Sequence, residues 1–321
     1  MTPGRRGFCY VRVATPDGIF LECYERASGL AVDPIEKKPL YHFYPGTNIL
    51  SLGTMGCNLD CSFCQNWHMS HPQSASHKSS RSANTNVQDL EHIAIEDLVS
   101  IARHRKLPSV AFTYNEPIIF AEFAIDAAHA LKDAGIHSVA VTAGYISDEA
   151  RAAFFSAFDA ANVDLKSFDD NFYKKYCKAS LKPVLDSLLF VREKTSLWLE
   201  ITNLIIPGLN DSDDNIKNLS HWIVQYLGVD TPLHFSAFHP CFELQEIPRT
   251  PASTLVKARA IAMETGLRYV YIGNCSTQDG SNTRCHQCQQ LLIDRKGYTI
   301  KSTIAPSGAC PSCGYILPGR F

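Results

Sequence analysis

The sequence lacks a long apolar run: nothing in it approaches the ~18 consecutive apolar residues that a membrane-spanning helix needs. It begins with a pair of arginines, but Arg12 and Asp17 interrupt the apolar stretch that a signal peptide would require. We therefore expect a cytoplasmic protein with no membrane partner.

The sequence also lacks a strong net charge. Its 30 lysines and arginines nearly balance 32 aspartates and glutamates, which gives a formal net charge of -2. No overall positive field therefore indicates a nucleic-acid partner. A glycine-rich loop of the kind that cradles phosphates is also missing.

Cysteine, by contrast, is abundant, with 12 among 321 residues. In a reducing cytoplasm such cysteines are metal ligands and buried thiols, not disulfides. Because 45% of the residues are hydrophobic, the chain can bury a full-sized core. We expect one large domain with small attachments.

Three of the cysteines, Cys57, Cys61 and Cys64, are close together in the sequence. Thiolates are soft ligands that select zinc, copper(I) or iron-sulfur centres. A structural zinc ion would need a fourth ligand nearby, and the candidates, His68 and His71, are crowded by their neighbours. The spacing therefore favours an iron-sulfur cluster with one open corner, with zinc as the alternative.

The aromatic Phe63 directly precedes the third cysteine, which gives the pattern C-x3-C-x-Φ-C. This pattern resembles the cluster loop of the radical SAM superfamily. The resemblance implies that Cys57, Cys61 and Cys64 hold a catalytic [4Fe-4S] cluster whose fourth iron is chelated by S-adenosylmethionine (SAM). It also implies that Phe63 packs on the adenine of SAM.

Two further strings extend the resemblance: residues 33–46 read DPIEKKPLYHFYPG and residues 64–67 read CQNW. They are similar to one branch, the AmmeMemoRadiSam system radical SAM enzymes, which are related to pyruvate formate-lyase activating enzymes. Members usually carry a cysteine-rich segment upstream that does not precede Cys9 here, so Cys9 has no assigned role. The three prolines of residues 32–46 predict an extended linker.

Alternating apolar and polar side chains in residues 8–32, around a Pro-Asp-Gly turn, predict a β-hairpin. From residue 48 onward, strand patterns alternate with helical ones, which predicts βαβ units and a parallel sheet. The predicted strands are 48–53, 109–114, 137–142, 161–166, 197–206, 233–238 and 269–273. The predicted helices are 95–106, 118–134, 147–158, 169–195 in two pieces, 211–227 and 251–265. The resemblance implies a partial (β/α)6 TIM-like barrel with the cluster at the carboxyl ends of the strands, and residues 70–90 are predicted to be a mobile insertion there.

Asn115 and Glu116 follow the second predicted strand. They stand where relatives carry a Gly-Gly-Glu segment that binds the amino group of SAM, and their side-chain oxygens suit an ammonium group. The alternative is a helix cap, because Pro117 follows at a typical first helical position.

The resemblance also assigns residues on the third and fourth strands. Thr142 opens a segment that stands where the activating enzymes have Asp-Thr-Asn-Gly, but Val141 replaces their aspartate, so a cation site there is not expected. Asp164 and Lys166 match an Asp-Leu-Lys motif that faces the ribose and the methionine carboxylate of SAM. Ordinary solvated charges are the alternative.

On the later strands, Glu200 and Asn203 alternate with apolar residues and are predicted to point into the barrel, where one of them contacts SAM or substrate. His239 matches a histidine that the activating enzymes place beside the cofactor, and a structural histidine is the alternative. Gly273 would let backbone groups approach adenine closely.

Near the C-terminus, two C-x2-C pairs formed by Cys285, Cys288, Cys310 and Cys313 predict a zinc-ribbon or rubredoxin-like module with a hairpin at residues 291–300. Four thiolates would close a tetrahedron around zinc or iron, and a second [4Fe-4S] cluster is a lesser option. The predicted organisation is thus an α/β chain with a β-hairpin and extended segment at 1–47, a radical SAM core at 48–274 and a metal-binding ribbon at 275–321.

The function that these features predict is a radical SAM enzyme of the oxidoreductase type. It would take an electron from a donor such as flavodoxin or ferredoxin and abstract hydrogen from a substrate that the sequence does not identify. One alternative is an activase that forms a glycyl radical on a partner protein. The other is a non-catalytic iron-sulfur electron carrier or redox sensor, which would have no need of the SAM-binding residues.

Overall fold

The structure is a computed structural model that describes residues 2–72 and 86–321. The predicted insertion at residues 70–90 lies mostly outside these residues. The strands are β1 (Arg12–Thr15), β2 (Gly18–Leu21), β3 (Arg26–Ala27), β4 (Leu30–Pro34), β5 (Asn48–Leu52), β6 (Glu91–His92), β7 (Ser109–Phe112), β8 (His137–Thr142), β9 (Ala160–Asp164), β10 (Trp198–Ile205), β11 (Leu233–Ala237), β12 (Val270–Gly273), β13 (Thr283–Arg284), β14 (Leu291–Lys296) and β15 (Thr299–Ser302). The α-helices are α1 (Trp67–Ser70), α2 (Ile95–His104), α3 (Ala121–Asp133), α4 (Asp148–Phe155), α5 (Asp170–Phe172), α6 (Lys182–Lys194), α7 (Asp213–Tyr226) and α8 (Ala252–Glu264).

The central sheet has eight strands in the order β12-β11-β10-β9-β8-β7-β5-β4. From β5 to β12 its neighbouring strands pair in parallel, whereas β4 pairs antiparallel with β5. Parallel strands need long crossover connections, and the helices supply them. The predicted α/β fold with a TIM-like, mostly parallel sheet is confirmed. Strand β4 was not predicted, because Leu30–Pro34 lies across the boundary between the predicted hairpin and the proline-containing segment that predicted a linker.

The central sheet is buried on both faces, which explains why its strands have nearly continuous apolar sequences. On the outer face, residues such as Phe112 and Phe235 belong to the same core cluster as Phe123 and Leu188 of the helices. The inner face is covered by a different part of the chain.

Residues 35–47, which connect β4 to β5, cover that inner face; we call them the inner segment. Its Ile35, Leu40 and Phe43 are fully buried and pack in one cluster with inner-face residues such as Ala111. The prediction of an extended linker is therefore wrong. The prolines do prevent regular strand or long helix, but the apolar side chains between them bury themselves inside the barrel.

The C-terminal ribbon is a three-stranded antiparallel sheet, β13-β14-β15, and it contains the hairpin predicted at residues 291–300. Arg295 of the ribbon donates a hydrogen bond to the Tyr41 carbonyl oxygen at 2.7 Å. The Arg320 backbone N–H donates to the carbonyl oxygen of His42 at 2.8 Å, and the Arg320 guanidinium donates to that of Ser196 just before β10. The ribbon thus packs against the inner segment at the amino ends of the strands.

At the other end of the chain, the predicted N-terminal hairpin is present. Strands β1 and β2 pair antiparallel, with Thr15 opposite Gly18. Within residues 2–72 and 86–321, none of the helices combines the length and the hydropathy that a transmembrane span requires.

His42 of the inner segment gives the fold a dependence on pH. Its ring is fully buried, with Nδ1 2.7 Å from the Pro318 carbonyl oxygen and Nε2 2.5 Å from the Tyr271 hydroxyl. Burial lowers the pKa of His42 to about 4. The unfolded chain, with a pKa near 6.5, therefore binds the proton first as the pH falls, and stability is lost below about pH 6.5.

We predict that the melting temperature of the wild type falls more steeply on acidification than that of His42→Gln, which cannot titrate at this position. Between about pH 7 and about pH 5, the stability difference between the two proteins should shrink by on the order of 2 kcal/mol. Thermal melts followed by circular dichroism test this, with the exposed His104→Gln as the matched control. Equal pH slopes for the wild type and His42→Gln would contradict the linkage.

Candidate functional site

The three-cysteine loop, residues 53–67, follows β5 at the carboxyl end of the barrel strands, where α/β barrels place their active sites. Gly56 in this loop has a φ of +82°, and a Cβ there would lie 2.0 Å from the Cys9 carbonyl oxygen. Only glycine fits this path without a shift of the backbone. The N-terminal residues therefore pack directly on the cysteine loop.

Asn115 fixes the start of the cysteine loop. Its Oδ1 accepts a hydrogen bond from the Thr54 backbone N–H at 3.0 Å, and its Nδ2 donates to the Gly56 carbonyl oxygen at 2.9 Å. Both groups of the amide are used inside the protein, which gives Asn115 a positioning role. The predicted contact between its oxygen and SAM stays a prediction.

Two neighbouring loops hold the middle of the cysteine loop through its backbone. The N–H groups of Asp60 and Ser62 each donate, at 2.9 Å, to carbonyl oxygens of the π-helical turn Tyr173–Cys177. From the other side, the Glu243 N–H donates to the Ser62 carbonyl oxygen at 3.0 Å, and the Cys241 thiol lies 3.3 Å from the Cys64 carbonyl oxygen. Sequence reasoning missed these supports, since nothing in the local pattern of residues 173–178 or 241–243 indicates them.

The thiols of the loop are held in surroundings that disfavour free thiolates. Burial raises the pKa of Cys57 and of Cys64, the latter to about 11, and contact with Cys177 raises that of Cys61. Such thiols ionise only when a cation binds them. The Leu59 N–H donates to Cys57 Sγ at 3.4 Å, a contact of the kind that tunes sulfur ligands of iron.

The ribbon thiols form a compact group. The sulfur atoms of Cys285, Cys288, Cys310 and Cys313 all lie within 4.8 Å of one another, and two of the pairs are 3.6 and 3.7 Å apart. A tetrahedral ion with metal–sulfur bonds of about 2.3 Å separates its ligands by about 3.8 Å. The ribbon residues therefore fit a single metal ion with no open position.

The cysteine loop is different, because among the described residues only the ribbon thiols converge so closely. Wider spacing suits ligands at separate corners of a cluster, and three soft thiols leave one corner without a protein ligand. The residues present thus fit a [4Fe-4S] cluster better than they fit one ion.

Glu116 lies fully buried beside this loop. Its Oε2 accepts from the Ala143 N–H at 2.7 Å, and its Oε1 accepts from the Thr142 hydroxyl and, at 3.2 Å, from the Ile118 N–H. Burial raises the pKa of Glu116 to about 7, although these hydrogen bonds act in the opposite direction. The carboxylate caps the helical turn that follows. A nearby cation would stabilise its charged form. Thr142 orients Glu116, and its predicted contact with SAM stays a prediction.

Asp164 and Lys166 extend from the end of β9 toward the cysteine loop. Lys166 Nζ lies 2.9 Å from Asp164 Oδ2 and 5.9 Å from the centroid of the Phe63 ring. Burial lowers the pKa of Lys166, but attraction to Asp164 and to the Cys61 sulfur outweighs burial and raises it well above the usual value. A fixed positive charge therefore stands beside a predicted cluster ligand. Phe63 itself is buried and packs on Phe172, with 5.7 Å between the ring centroids.

The structure does not bring Glu200 to this site. Its carboxylate is fully buried near the amino end of β10 and accepts from the backbone N–H groups of Tyr41 and His42 and from Trp198 Nε1. His234 Nε2 lies 2.6 Å from Oε2, the oxygen that also accepts from the Tyr41 N–H. The prediction that Glu200 contacts SAM is corrected to a role in holding the inner segment. Three of its four partners, Tyr41, His42 and His234, lie more than 30 residues away in the sequence, so the alternation of β10 could not reveal them.

His239 and Gly273 lie at strand ends on the same side of the barrel as the cysteine loop. Asn203 lies within β10, and the prediction that it points into the barrel is wrong. His239 is half-buried two residues beyond β11, and Asn203 lies on the outer face, where its Nδ2 donates to the Leu165 carbonyl oxygen. Gly273 ends β12. A Cβ at this position would come no closer than 3.7 Å to Ser236, so the backbone does not require glycine there.

A surface cavity of about 380 Å³ opens beside Cys57, between the cysteine loop and the N-terminal residues. Arg6, Tyr10, Asp60 and His71 contribute to its lining. One of the three loop cysteines is thus reached from outside the barrel.

Comparisons with known proteins agree with this site. The model of the radical SAM superfamily matches residues 52–222, a span that includes the cysteine loop. "Uncharacterized protein MJ0808" of Methanocaldococcus jannaschii is 39% identical over 97% of this chain and 90% of its own length. The pyruvate formate-lyase-activating enzyme of Clostridium pasteurianum is 28% identical over 54% of this chain and 69% of its own.

Among solved structures, a radical SAM methyltransferase from Sphaerobacter thermophilus shares the fold, with a TM-score of 0.55 at 15% identity over 81% of this chain and 71% of that one. The family model covers more than half of the 321 residues and spans the loop that carries Cys57, Cys61 and Cys64. On this match, and on the geometry of the loop, the chain belongs to the radical SAM superfamily.

Proposed function

We propose that this protein is an enzyme that cleaves SAM reductively and abstracts a hydrogen atom from a substrate. The observation that carries the proposal is the grouping of the three loop thiols with Glu116 and the Asp164–Lys166 pair at one end of the barrel. Cys57, Cys61 and Cys64 would hold a [4Fe-4S] cluster, which supplies the electron for cleavage when it is bound.

The charged groups divide the recognition of SAM between them. Glu116 would accept hydrogen bonds from the ammonium group, and its carboxylate is already oriented by Thr142 and Ala143. Lys166 would offset the methionine carboxylate, and Asp164, whose side chain is 37% exposed, would accept from ribose hydroxyls. Because Glu116 and Lys166 are largely buried, their charge-assisted bonds are stronger than they would be in water.

An electron must reach the loop from outside, and the cavity beside Cys57 offers a route. We assign the donor to the class of flavodoxins and ferredoxins. The cytoplasm is the proposed compartment, because all of the cysteines are free of disulfides, as a reducing environment requires.

A second candidate function is activation of a glycyl radical enzyme. It is supported by the 28% identity to the activating enzyme of Clostridium pasteurianum. A non-catalytic electron carrier is less well supported, because it would have no use for a buried carboxylate and a lysine aimed at the cluster loop.

We predict that anaerobically reconstituted protein releases 5'-deoxyadenosine from SAM when dithionite is added, since dithionite replaces the protein donor. Cys61→Ala should release none above background, because one corner of the cluster loses its ligand. Chromatography of the products makes the measurement. Equal release of 5'-deoxyadenosine by the wild type and Cys61→Ala would favour a non-catalytic electron carrier.

We predict that Glu116→Gln weakens SAM binding by roughly 10- to 100-fold, the range expected for one charge-assisted hydrogen bond. Since the pKa of Glu116 is about 7, wild-type affinity should fall as the pH drops below about 7 and the carboxylate is protonated. Glu116→Gln should show no such pH dependence. Calorimetric titration of cluster-loaded protein tests this, with the exposed Glu264→Gln as control; unchanged affinity in Glu116→Gln would refute the assignment.

We predict that the two metal sites are independent, because the loop lies at the carboxyl ends of the strands and the ribbon packs at their amino ends. Cys64→Ser should lose the visible absorbance of the iron-sulfur cluster and keep the ribbon metal. Cys310→Ser should lose the ribbon metal, melt at lower temperature and keep the cluster, since binding energy at a closed site is largely folding energy.

Elemental analysis of both variants gives the result, and loss of both metals in either variant would contradict independence. Cleavage of SAM by Cys310→Ser is the second measurement. If Cys310→Ser kept its cluster and bound SAM but could not cleave SAM with dithionite, the ribbon metal would have a role in electron transfer and not in stability.

A further inference from the structure

The central sheet is an incomplete barrel, because its two edge strands, β12 and β4, do not pair with each other. A gap of this kind could admit a loop of a partner protein from the side. The size of any substrate is therefore limited by the parts of the chain that occupy the gap and the barrel interior.

The inner segment crosses the barrel interior from one edge of the sheet to the other. After leaving β4, it accepts a hydrogen bond at the Pro39 carbonyl oxygen from Asn162 of β9 at 2.8 Å. It then reaches β10, where Glu200 accepts from the N–H groups of Tyr41 and His42, and β12, where His42 meets Tyr271. The lower half of the interior is therefore occupied.

The ribbon and the residues before it cover the free edge of β12. The Ile272 N–H donates to the Gly280 carbonyl oxygen at 2.8 Å, and the Tyr271 hydroxyl lies 2.9 Å from Thr283 Oγ1. Arg295, which is 4% exposed, links this side to the inner segment at Tyr41. Among the described residues, the side gap at the level of Glu200 is thus closed.

The inner segment at the level of Glu200 forms a floor across the barrel. At this level and two residues above it, two polar groups on the inner face of β9 and β10 have no hydrogen-bond partner. The register pairs Thr202 with Asp164, and Asn162 lies two residues below Asp164 on the same face. Asn162 Oδ1 and Thr202 Oγ1 make no hydrogen bond, although the residues are 1% and 8% exposed. The Asn162 amide cannot turn over to relieve this, because its Nδ2 is held by Pro39.

Unpaired buried groups of this kind cost about 1–3 kcal/mol each, and they are seldom left without a partner. A ligand that offered N–H or O–H groups at this depth would satisfy both of them, since Asn162 Oδ1 can only accept and Thr202 Oγ1 can accept or donate. A protein loop could reach the same depth only from the carboxyl ends of the strands, past Asp164 and Lys166.

We propose that the substrate is a small polar molecule with N–H or O–H donors. It enters from the carboxyl ends of the strands and binds beside Asp164, where it contacts Asn162 and Thr202. A macromolecular substrate that inserts a loop is the alternative that the test distinguishes. The inference deepens the proposed function and rests on it, because the hydrogen must come from a molecule that lies in this space.

The test uses the full-length, cluster-loaded protein with SAM and dithionite. An extract of the source cells, grown on deuterated medium, is divided by ultrafiltration into a small-molecule filtrate and a macromolecular fraction. Deuterium in 5'-deoxyadenosine is measured by mass spectrometry after incubation with each fraction. The proposal expects deuterium from the filtrate.

Deuterium from the macromolecular fraction, or from neither fraction, would overturn the proposal while leaving radical SAM activity in place. Failure to release any 5'-deoxyadenosine is a separate result, which would overturn the proposed function and this inference with it.

A pair of matched variants tests the site itself. Thr202→Val removes the hydroxyl at nearly constant volume and should lower the deuterated share of 5'-deoxyadenosine from the filtrate by roughly three- to tenfold, the effect of one hydrogen bond. Thr202→Ser keeps the hydroxyl and should stay near the wild type. Because the readout is a ratio, a change in the overall rate of SAM cleavage does not affect it. An unchanged deuterated share in Thr202→Val would show that Thr202 does not contact the substrate.

Discussion

The fold depends on the burial of one carboxylate, that of Glu200. A charge without solvent is very costly unless hydrogen bonds replace the lost water, and here the N–H groups of Tyr41 and His42, Trp198 Nε1 and the ring of His234 take its place. Those partners belong to the inner segment and to two barrel strands. The carboxylate therefore requires the inner segment to lie inside the barrel, and the bonds of that segment to the ribbon fix the ribbon in turn.

This arrangement divides the molecule into two ends with different tasks. At the amino ends of the strands, the buried carboxylate of Glu200 is held by four hydrogen-bond partners and the four ribbon thiols converge closely, which suits stability. At the carboxyl ends, the cysteine loop offers three thiols, Glu116 carries a raised pKa and Asp164 remains partly exposed. Perturbed groups of this kind mark functional sites. The inner segment separates the two ends and sets the depth of the space between them.

The cysteine loop is irregular, and its geometry is imposed by its neighbours. Asn115 holds its beginning, while the π-helical turn Tyr173–Cys177 and the loop around Glu243 hold its middle. Each of these supports follows a different strand of the sheet. A loop fixed from three strands keeps its thiols in place before any cluster binds, which lowers the cost of assembling the site.

Features that depend on short-range spacing could be predicted from the sequence. These are the three cysteines of the loop, the two C-x2-C pairs of the ribbon, and the alternation of strands and helices from residue 48 onward. Tertiary structure alone decided which polar residues serve the site. Glu200 and Asp164 both lie on the inner face of the sheet, yet one anchors the inner segment and the other faces the cysteine loop. The physical reason is that a hydrogen-bond partner 34 or 158 residues away leaves no mark on local periodicity. For the same reason, residues 32–46 predicted a linker, because their local pattern of prolines does not show that the barrel buries their apolar side chains.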